Sequence, residues 1–359
     1  MRKLIIPILA ALFLLSCGEK KPAEKPLRLN QIQVIGSHNS YKIQIEKGLL
    51  EILARQDSAM AISLDYHHIP LEDQLALGLR NLEFDVYHDP VGGKYARPLG
   101  LALLQQEGIK PKPYDVNGDL QKSGMKMFHV QDIDFRSHHL LFQDALKSIK
   151  VWSDKHPDHT PVFITINTKD EKIPMPGFTA PLPFNKAALD SLDMEIKQVL
   201  KDKLITPDMV RGDRASLKEA VLKDGWPELD KVKGKFMFIL DQGGQKITDY
   251  LEGHPALKDR VMFVVPQEGT PESVVMIRNN AKKDLKEIKR LVEEGFIVRT
   301  RADADTKQAR NNDYSFFKAA KASGAQVIST DYYIADPKLG TGYKVQFEGG
   351  SYERKHPFQ

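Results

Sequence analysis

The stretch Asn81-Leu82-Glu83-Phe84-Asp85-Val86-Tyr87 carries an apolar residue at every second position. In an extended chain Leu82, Phe84 and Val86 share one face, and Glu83, Asp85 and Tyr87 share the other. Two carboxylates at i and i+2 therefore point the same way, roughly 7 Å apart at about 3.3 Å per residue. A hard cation gathers several oxygen ligands, so this spacing suits a single divalent ion. The same alternation also describes a solvent-facing strand whose polar side is acidic. The rest of the chain separates the two readings.

Apolar runs of strand length recur along the sequence, usually with helix-like stretches between them. They are Gln33–Ser37, Asn81–Tyr87, Lys126–Val130, Val162–Asn167, Phe236–Leu240, Val261–Val265, Ile297–Arg301 and Gln326–Thr330. Eight parallel strands close a β/α barrel, so the expected fold class is α/β, a single (β/α)8 TIM-type barrel. Gln143–Trp152, Ala187–Leu200, Lys282–Glu294 and Ala309–Ala322 show the i, i+3, i+4 apolar spacing of amphipathic helices. Two connections are long and rich in Pro and Gly, Asp89–Gly124 and Lys169–Asn185. Each follows a strand end, which in a barrel places it over the mouth where catalytic loops sit.

The first residues read as a targeting segment. Met1-Arg2-Lys3 is basic, Leu4–Leu15 is apolar and too short for a permanent span, and Leu14-Leu15-Ser16-Cys17 resembles the lipoprotein processing box. Cys17 is the single cysteine among 359 residues, so no intramolecular disulfide forms and no Cys-based metal site or nucleophile is available in the body. The expected organisation is a signal peptide over 1–16, a lipidated Cys17 and charged tether over 17–28, and one barrel over 29–359. Gly18 after the cysteine, in place of an Asp, favours an outer-membrane, periplasmic-side or cell-surface lipoprotein of the bacterial envelope. A net charge of +4 spread over 52 basic and 48 acidic residues carries no nucleic-acid footprint. Nothing in the sequence implies a protein partner.

The chemistry gathers at strand ends. Strand one runs into G-S-H-N-S-Y at Gly36–Tyr41, where Gly36 and the Ser37/Ser40 pair predict a turn that lets His38 and Asn39 both face the mouth. His38 serves as acid, base or phosphate donor, and the Asn39 carbonyl oxygen suits a hard cation. M-K-M-F-H-V-Q-D at Met125–Asp132 brings His129, with Asp132 or Asp134 near enough to orient it, and P-V-F-I-T-I-N-T-K-D ends in Asn167, Lys169 and Asp170. C-terminal ends of successive barrel strands are neighbours, so these groups surround one point. Two imidazoles, an acidic cup and no thiol fit metal-assisted displacement at phosphorus, where developing charge needs a cation and the leaving oxygen an acid.

G-S-H-N-S-Y, N-L-E-F-D-V-Y-H-D-P, M-F-H-V-Q-D and P-V-F-I-T-I-N together resemble the calcium-dependent phosphatidylinositol-specific phospholipase C-like phosphodiesterases of bacteria and fungi. R-T-R-A-D-A-D-T at Arg299–Thr306 and G-A-Q-V-I-S-T-D-Y-Y at Gly324–Tyr333 extend the resemblance over the whole body. The resemblance implies His38 and His129 as the catalytic histidines and Asn39, Glu83 and Asp85 as Ca2+ ligands, with Glu83 also a candidate proton acceptor. Asn167 stands where larger eukaryotic relatives carry a Glu ligand, which leaves one carboxylate fewer in the cup; Mg2+ is compatible with the same ligands. Lys169, Arg299, Arg301 and Asp331 are candidate substrate contacts; the two arginines alternatively pair with Asp303 and Asp305.

The expected activity is a Ca2+-dependent phosphoric diester hydrolase acting on a phosphoinositide or related phospholipid. A glycerophosphodiester phosphodiesterase is the alternative enzyme, and an inactive barrel binding polyols or lipids at the surface is the alternative of another class. His67, His68, His138, His139, His156, His159, His254 and His356 are expected as surface or capping residues. His88 has the wrong parity for the cup.

Overall fold

The computed structural model describes residues 25–357. The signal segment, Cys17 and most of the tether lie outside the described residues. The body is a barrel of eight parallel strands hydrogen-bonded in the order β6-β5-β4-β2-β1-β9-β8-β7. The barrel strands are β1 Ile32–Ser37, β2 Asn81–Tyr87, β4 Val162–Thr168, β5 Phe236–Leu240, β6 Phe263–Val264, β7 Val275–Ile277, β8 Ile297–Arg301 and β9 Val327–Thr330. β6 and β7 form the two ends of the path, so the barrel is nearly closed, with its seam between them. β3 (Lys126–Met127) and β10 (Glu353–Lys355) add to it in antiparallel fashion, on β2 and β1 respectively.

β2 is buried along its whole length, which rules out the solvent-facing reading of its acidic side. Phe84 points outward to the helical layer, its ring 6.2 Å from Phe142 at the start of helix Phe142–Lys155. By parity Glu83 and Asp85 point into the barrel. β1 approaches β2 so closely at the Gly36–Asn81 pair that a Cβ on Gly36 would lie 2.0 Å from the Asn81 carbonyl oxygen, and only glycine fits there. Helix Lys186–Leu200 starts where the Asn185 side chain accepts a hydrogen bond from the Ala188 amide at 3.1 Å, and it buries Leu189, Leu192, Ile196 and Leu200 against the sheet.

The structure departs from the sequence reading at four places. The run Lys126–Val130 is not a barrel strand. Only Lys126 and Met127 pair, antiparallel to Val86 and Tyr87. β4 already holds one edge of β2 from Asn81 to Val86, so β3 takes the edge that β1 leaves free beyond Asn81. The eighth barrel position belongs to β7, three residues at the seam whose shortness hid them from a periodicity reading.

The apolar stretch Ala309–Ala322 is two helices, Lys307–Arg310 and Ser315–Ser323. Asn312 adopts a φ of 49°, and Asp313 accepts from the Ser315 amide at 2.8 Å, so the N-N-D segment restarts the helix. Among the histidines expected as surface or capping residues, His68, His159 and His356 are buried.

His159 sits below the N-terminal end of β4, its Nε2 2.8 Å from the Ser153 hydroxyl and its Nδ1 2.8 Å from the Thr160 carbonyl. Burial pushes its pKa down from 6.5 to about 4. The neutral ring is the folded form, so its contribution to stability is fully present above pH 6.5 and is lost as pH falls from 6.5 through 4. Denaturant unfolding of wild type and His159→Gln at pH 7.5 and pH 4.5 should therefore show the wild type losing more stability on acidification. Equal losses would mean that His159 charges freely in the fold.

Candidate active site

The turn after β1 puts His38 and Asn39 at the mouth. Asn39 takes a φ of 49°, a left-handed conformation that Asn tolerates better than most residues. The turn is tied to β2: the Ser40 amide donates to the Glu83 carbonyl at 3.0 Å, and the Glu83 amide donates to the Ser40 hydroxyl at 2.8 Å. The sequence signal in Ser37 and Ser40 thus has a mechanical meaning, since it fixes His38-Asn39 against the acidic strand.

The structure brings the expected residues into one basin. Glu83 is 3 % exposed and lies 3.6 Å from His38 Nε2; Asn167 Nδ2 donates to it at 3.1 Å, and Arg299 bonds its second oxygen. Asp85, equally buried, meets Lys169 at 3.4 Å. Asn39 Nδ2 donates to the Tyr66 hydroxyl at 2.7 Å, and its Oδ1 lies 3.5 Å from the Tyr41 hydroxyl. Arg299 holds Glu83 and Asn279 from within the barrel, while Arg301 stands beside His38 and Asp331. Neither arginine pairs with the Asp305 side chain, which meets Lys307; Arg301 reaches only the backbone carbonyl of Asp303.

Both imidazoles are held at Nδ1 by a carboxylate. His38 Nδ1 is 2.8 Å from Asp331, and His129 Nδ1 is 2.8 Å from Asp134, so Asp134 rather than Asp132 orients the second ring. Asp132 instead accepts from the Leu99 and Thr179 amides at 2.9 and 2.6 Å, which knits the two long loops together beside the site. The surroundings of the two rings differ. Burial, then the Arg301 charge, hold His38 well below its ordinary pKa, so it is neutral. His129 shares Asp134 with buried Lys42, whose Nζ lies 3.2 Å from the same oxygen. His88 is half-buried against Phe184, away from the cup.

Sequence reasoning missed three contributors. Tyr66 and Lys42 gave no signal, because their roles depend on a fold-back of the segment after β1. Asp241 did give one: it follows β5 directly, and the strand-end rule applied to F-M-F-I-L-D would have found it. Burial raises its carboxyl to about 6, with Glu83 and Asp85 pushing in the same direction and Arg299 opposing.

The donor set at the mouth is made of oxygens alone, from Asn39, Glu83, Asp85 and Asn167. Among the described residues no three His, Cys, Asp or Glu side chains are already gathered at ligand distance. Among the described residues the Asp85 side chain is ion-paired with Lys169 alone, whose own side chain is 36 % exposed. Hard oxygen donors with buried carboxylates and a displaceable lysine fit Ca2+.

The sequence pattern of Ca2+-dependent phosphoinositide phospholipase C matches residues 27–357. No curated protein matches the chain significantly by sequence. The calcium-dependent phosphoinositol-specific phospholipase C of Pseudomonas sp., solved with myoinositol, shares its fold: TM-score 0.56, 16 % identity, covering 93 % of this chain and 97 % of that one. The Ca2+-dependent enzyme of Streptomyces antibioticus superimposes with TM-score 0.52 at 16 % identity, over 88 % of this chain and 97 % of its own. With the matched pattern spanning nearly the entire described body, this chain belongs to the Ca2+-dependent phosphoinositide phospholipase C family, a family of phosphoric diester hydrolases.

Proposed function

We propose that the protein cleaves a phosphoinositide, releasing a phosphorylated inositol and leaving the lipid as a diacylglycerol. The observation that carries this reading is the convergence of two carboxylate-held imidazoles on one oxygen-lined cup in a chain of this family. The myoinositol bound by the Pseudomonas neighbour supports an inositol headgroup. Asn39, Glu83, Asp85 and Asn167 would hold Ca2+, which would supply a lowered pKa at the attacking hydroxyl and positive charge against the phosphoryl oxygens.

The residues divide the remaining work. Glu83 accepts the proton of the inositol hydroxyl that attacks phosphorus. Asp134 holds His129 by Nδ1, which leaves Nε2 to protonate the departing diacylglycerol oxygen. His38 gives its Nδ1–H to Asp331, so it donates from Nε2 to the phosphoryl oxygens only once it takes up a proton as negative charge arrives there, and Arg301 beside it supplies positive charge. The three groups act on different atoms of one phosphodiester, as in-line displacement requires.

Lipidation of Cys17 is proposed on the Leu14-Leu15-Ser16-Cys17 motif, and it would hold the barrel at the face of the bacterial outer membrane or cell surface. Cys17→Ser should move the expressed protein from the detergent-rich to the aqueous phase in detergent partitioning. Unchanged partitioning would remove the anchor.

Turnover of phosphatidylinositol in mixed micelles should release water-soluble inositol phosphate and stop when Ca2+ is chelated. Hydrolysis of glycerophosphoinositol instead would identify a glycerophosphodiester phosphodiesterase, and headgroup binding without turnover would identify an inactive barrel.

The two histidine roles separate by leaving group. General acid assistance is worth about 10²–10⁴-fold and matters little when the leaving group is a phenolate. His129→Ala should therefore slow an alkoxide substrate far more than a phenolate one, while His38→Ala slows both comparably. Steady-state turnover of such a substrate pair checks this; the opposite pattern would exchange the two roles.

A further inference from the structure

Asp85 lies opposite Asn167 in the β2–β4 register, and Ile166 lies opposite Leu240 in the β4–β5 register. One step further, the Asp241 amide donates to the Ile166 carbonyl at 2.9 Å, so Asp241 stands abreast of Asn167. Asp85, Asn167 and Asp241 thus form a row across three parallel strands at about 4.8 Å per strand, their side chains on the same face. Asn167 reaches Glu83 inside the barrel, which fixes that face as the inner one. Asp241 is half-buried and within electrostatic range of Glu83, Asp85 and Arg299. Among the described residues its carboxylate accepts no hydrogen bond and forms no ion pair.

Charge counting gives that carboxylate a task. Arg299 is 2 % exposed and held by Glu83, Asn279 and Ser329, so it stays when a metal binds, whereas Lys169 can leave. A divalent ion beside Arg299 then brings three positive charges against the two carboxylates Glu83 and Asp85. A third carboxylate closes the balance in a site that water reaches poorly.

We propose that Asp241 is the third carboxylate of the Ca2+ site, entering from β5 along the row Asp85–Asn167–Asp241. This assignment rests on the calcium reading of the site. Ca2+ takes six to eight oxygens at 2.3–2.6 Å, so ligands on opposite sides of it lie about 5 Å apart. Asp85 and Asp241, flanking Asn167 on the concave inner wall, are placed to approach it from two sides.

The test is Ca2+ titration calorimetry on the full-length protein in detergent, with Asp85→Asn as the reference for loss of a ligand. Asp241→Asn should weaken Ca2+ binding by roughly 10- to 100-fold, a range typical of groups supporting a metal site. Its metal-free melting temperature should equal or exceed that of wild type, since an unpartnered carboxylate has been removed. Asn167→Asp added to Asp241→Asn returns the charge one strand over in the same row and should restore most of the affinity. If Asp241→Asn does not fold, Asp241→Ser carries the same expectation.

Wild-type Ca2+ affinity in the folded Asp241 variants, whether or not turnover changes, overturns the assignment alone. Failure of Asn167→Asp to restore any affinity to a variant that has lost it also overturns it. A wild-type protein that takes up no Ca2+ overturns the calcium reading and this assignment together.

Discussion

Glu83 and Asp85 project from a single strand into the interior of the barrel, and the groups around the mouth answer their charge. Removing an ion from water costs several kcal/mol even after relaxation, so buried carboxylates persist only with partners. Glu83 has Arg299 and the Asn167 amide; Asp85 has Lys169. The two cations differ in kind. Arg299 is a buried fixture anchored by three side chains, while Lys169 reaches in from the rim. A site with one buried and one partly exposed counter-charge is suited to accept a cation in place of the exposed one.

The two imidazoles illustrate how similar anchors yield different chemistry. Each ring is held at Nδ1 by a carboxylate at 2.8 Å, which fixes its orientation and leaves Nε2 for the substrate. Arg301 lies 3.3 and 3.4 Å from the nitrogens of His38 and, with burial, disfavours a second positive charge there. At His129 the nearby cation, Lys42, is bound to the anchoring carboxylate and not to the ring. The two rings thus share an anchor and differ in where the nearest cation sits, against the ring at His38 and against the anchoring carboxylate at His129.

The barrel wall bends to make this possible. β1 and β2 pair only at Gly36–Asn81, and the edge of β2 that opens beyond that point is filled by the short antiparallel β3. His129 therefore reaches the mouth from an insertion and not from a barrel strand. The segment that follows it carries Asp132 and Asp134. Asp134 orients the ring, and Asp132 clasps the two long loops at Leu99 and Thr179. Chemistry and loop architecture are joined within six residues.

The sequence by itself determined the elements with strong local periodicity: β2, β5 and β8 have the bounds expected of them, and helix Lys186–Leu200 lies where its apolar spacing places it. It also determined which strand ends carry polar groups, because a barrel buries its strand interiors and leaves reactive side chains at their C-terminal ends. Tertiary structure decided what distance in sequence conceals. β7 is too short to show a period, and Lys126–Val130 reads as a barrel strand although only the free edge of β2 explains its two paired residues. The partners Asp331 for His38 and Arg299 for Glu83 lie 293 and 216 residues away along the chain, brought near by closure of the sheet. Local pattern records which face a side chain takes; the charge it meets there is set by strands that the barrel brings together.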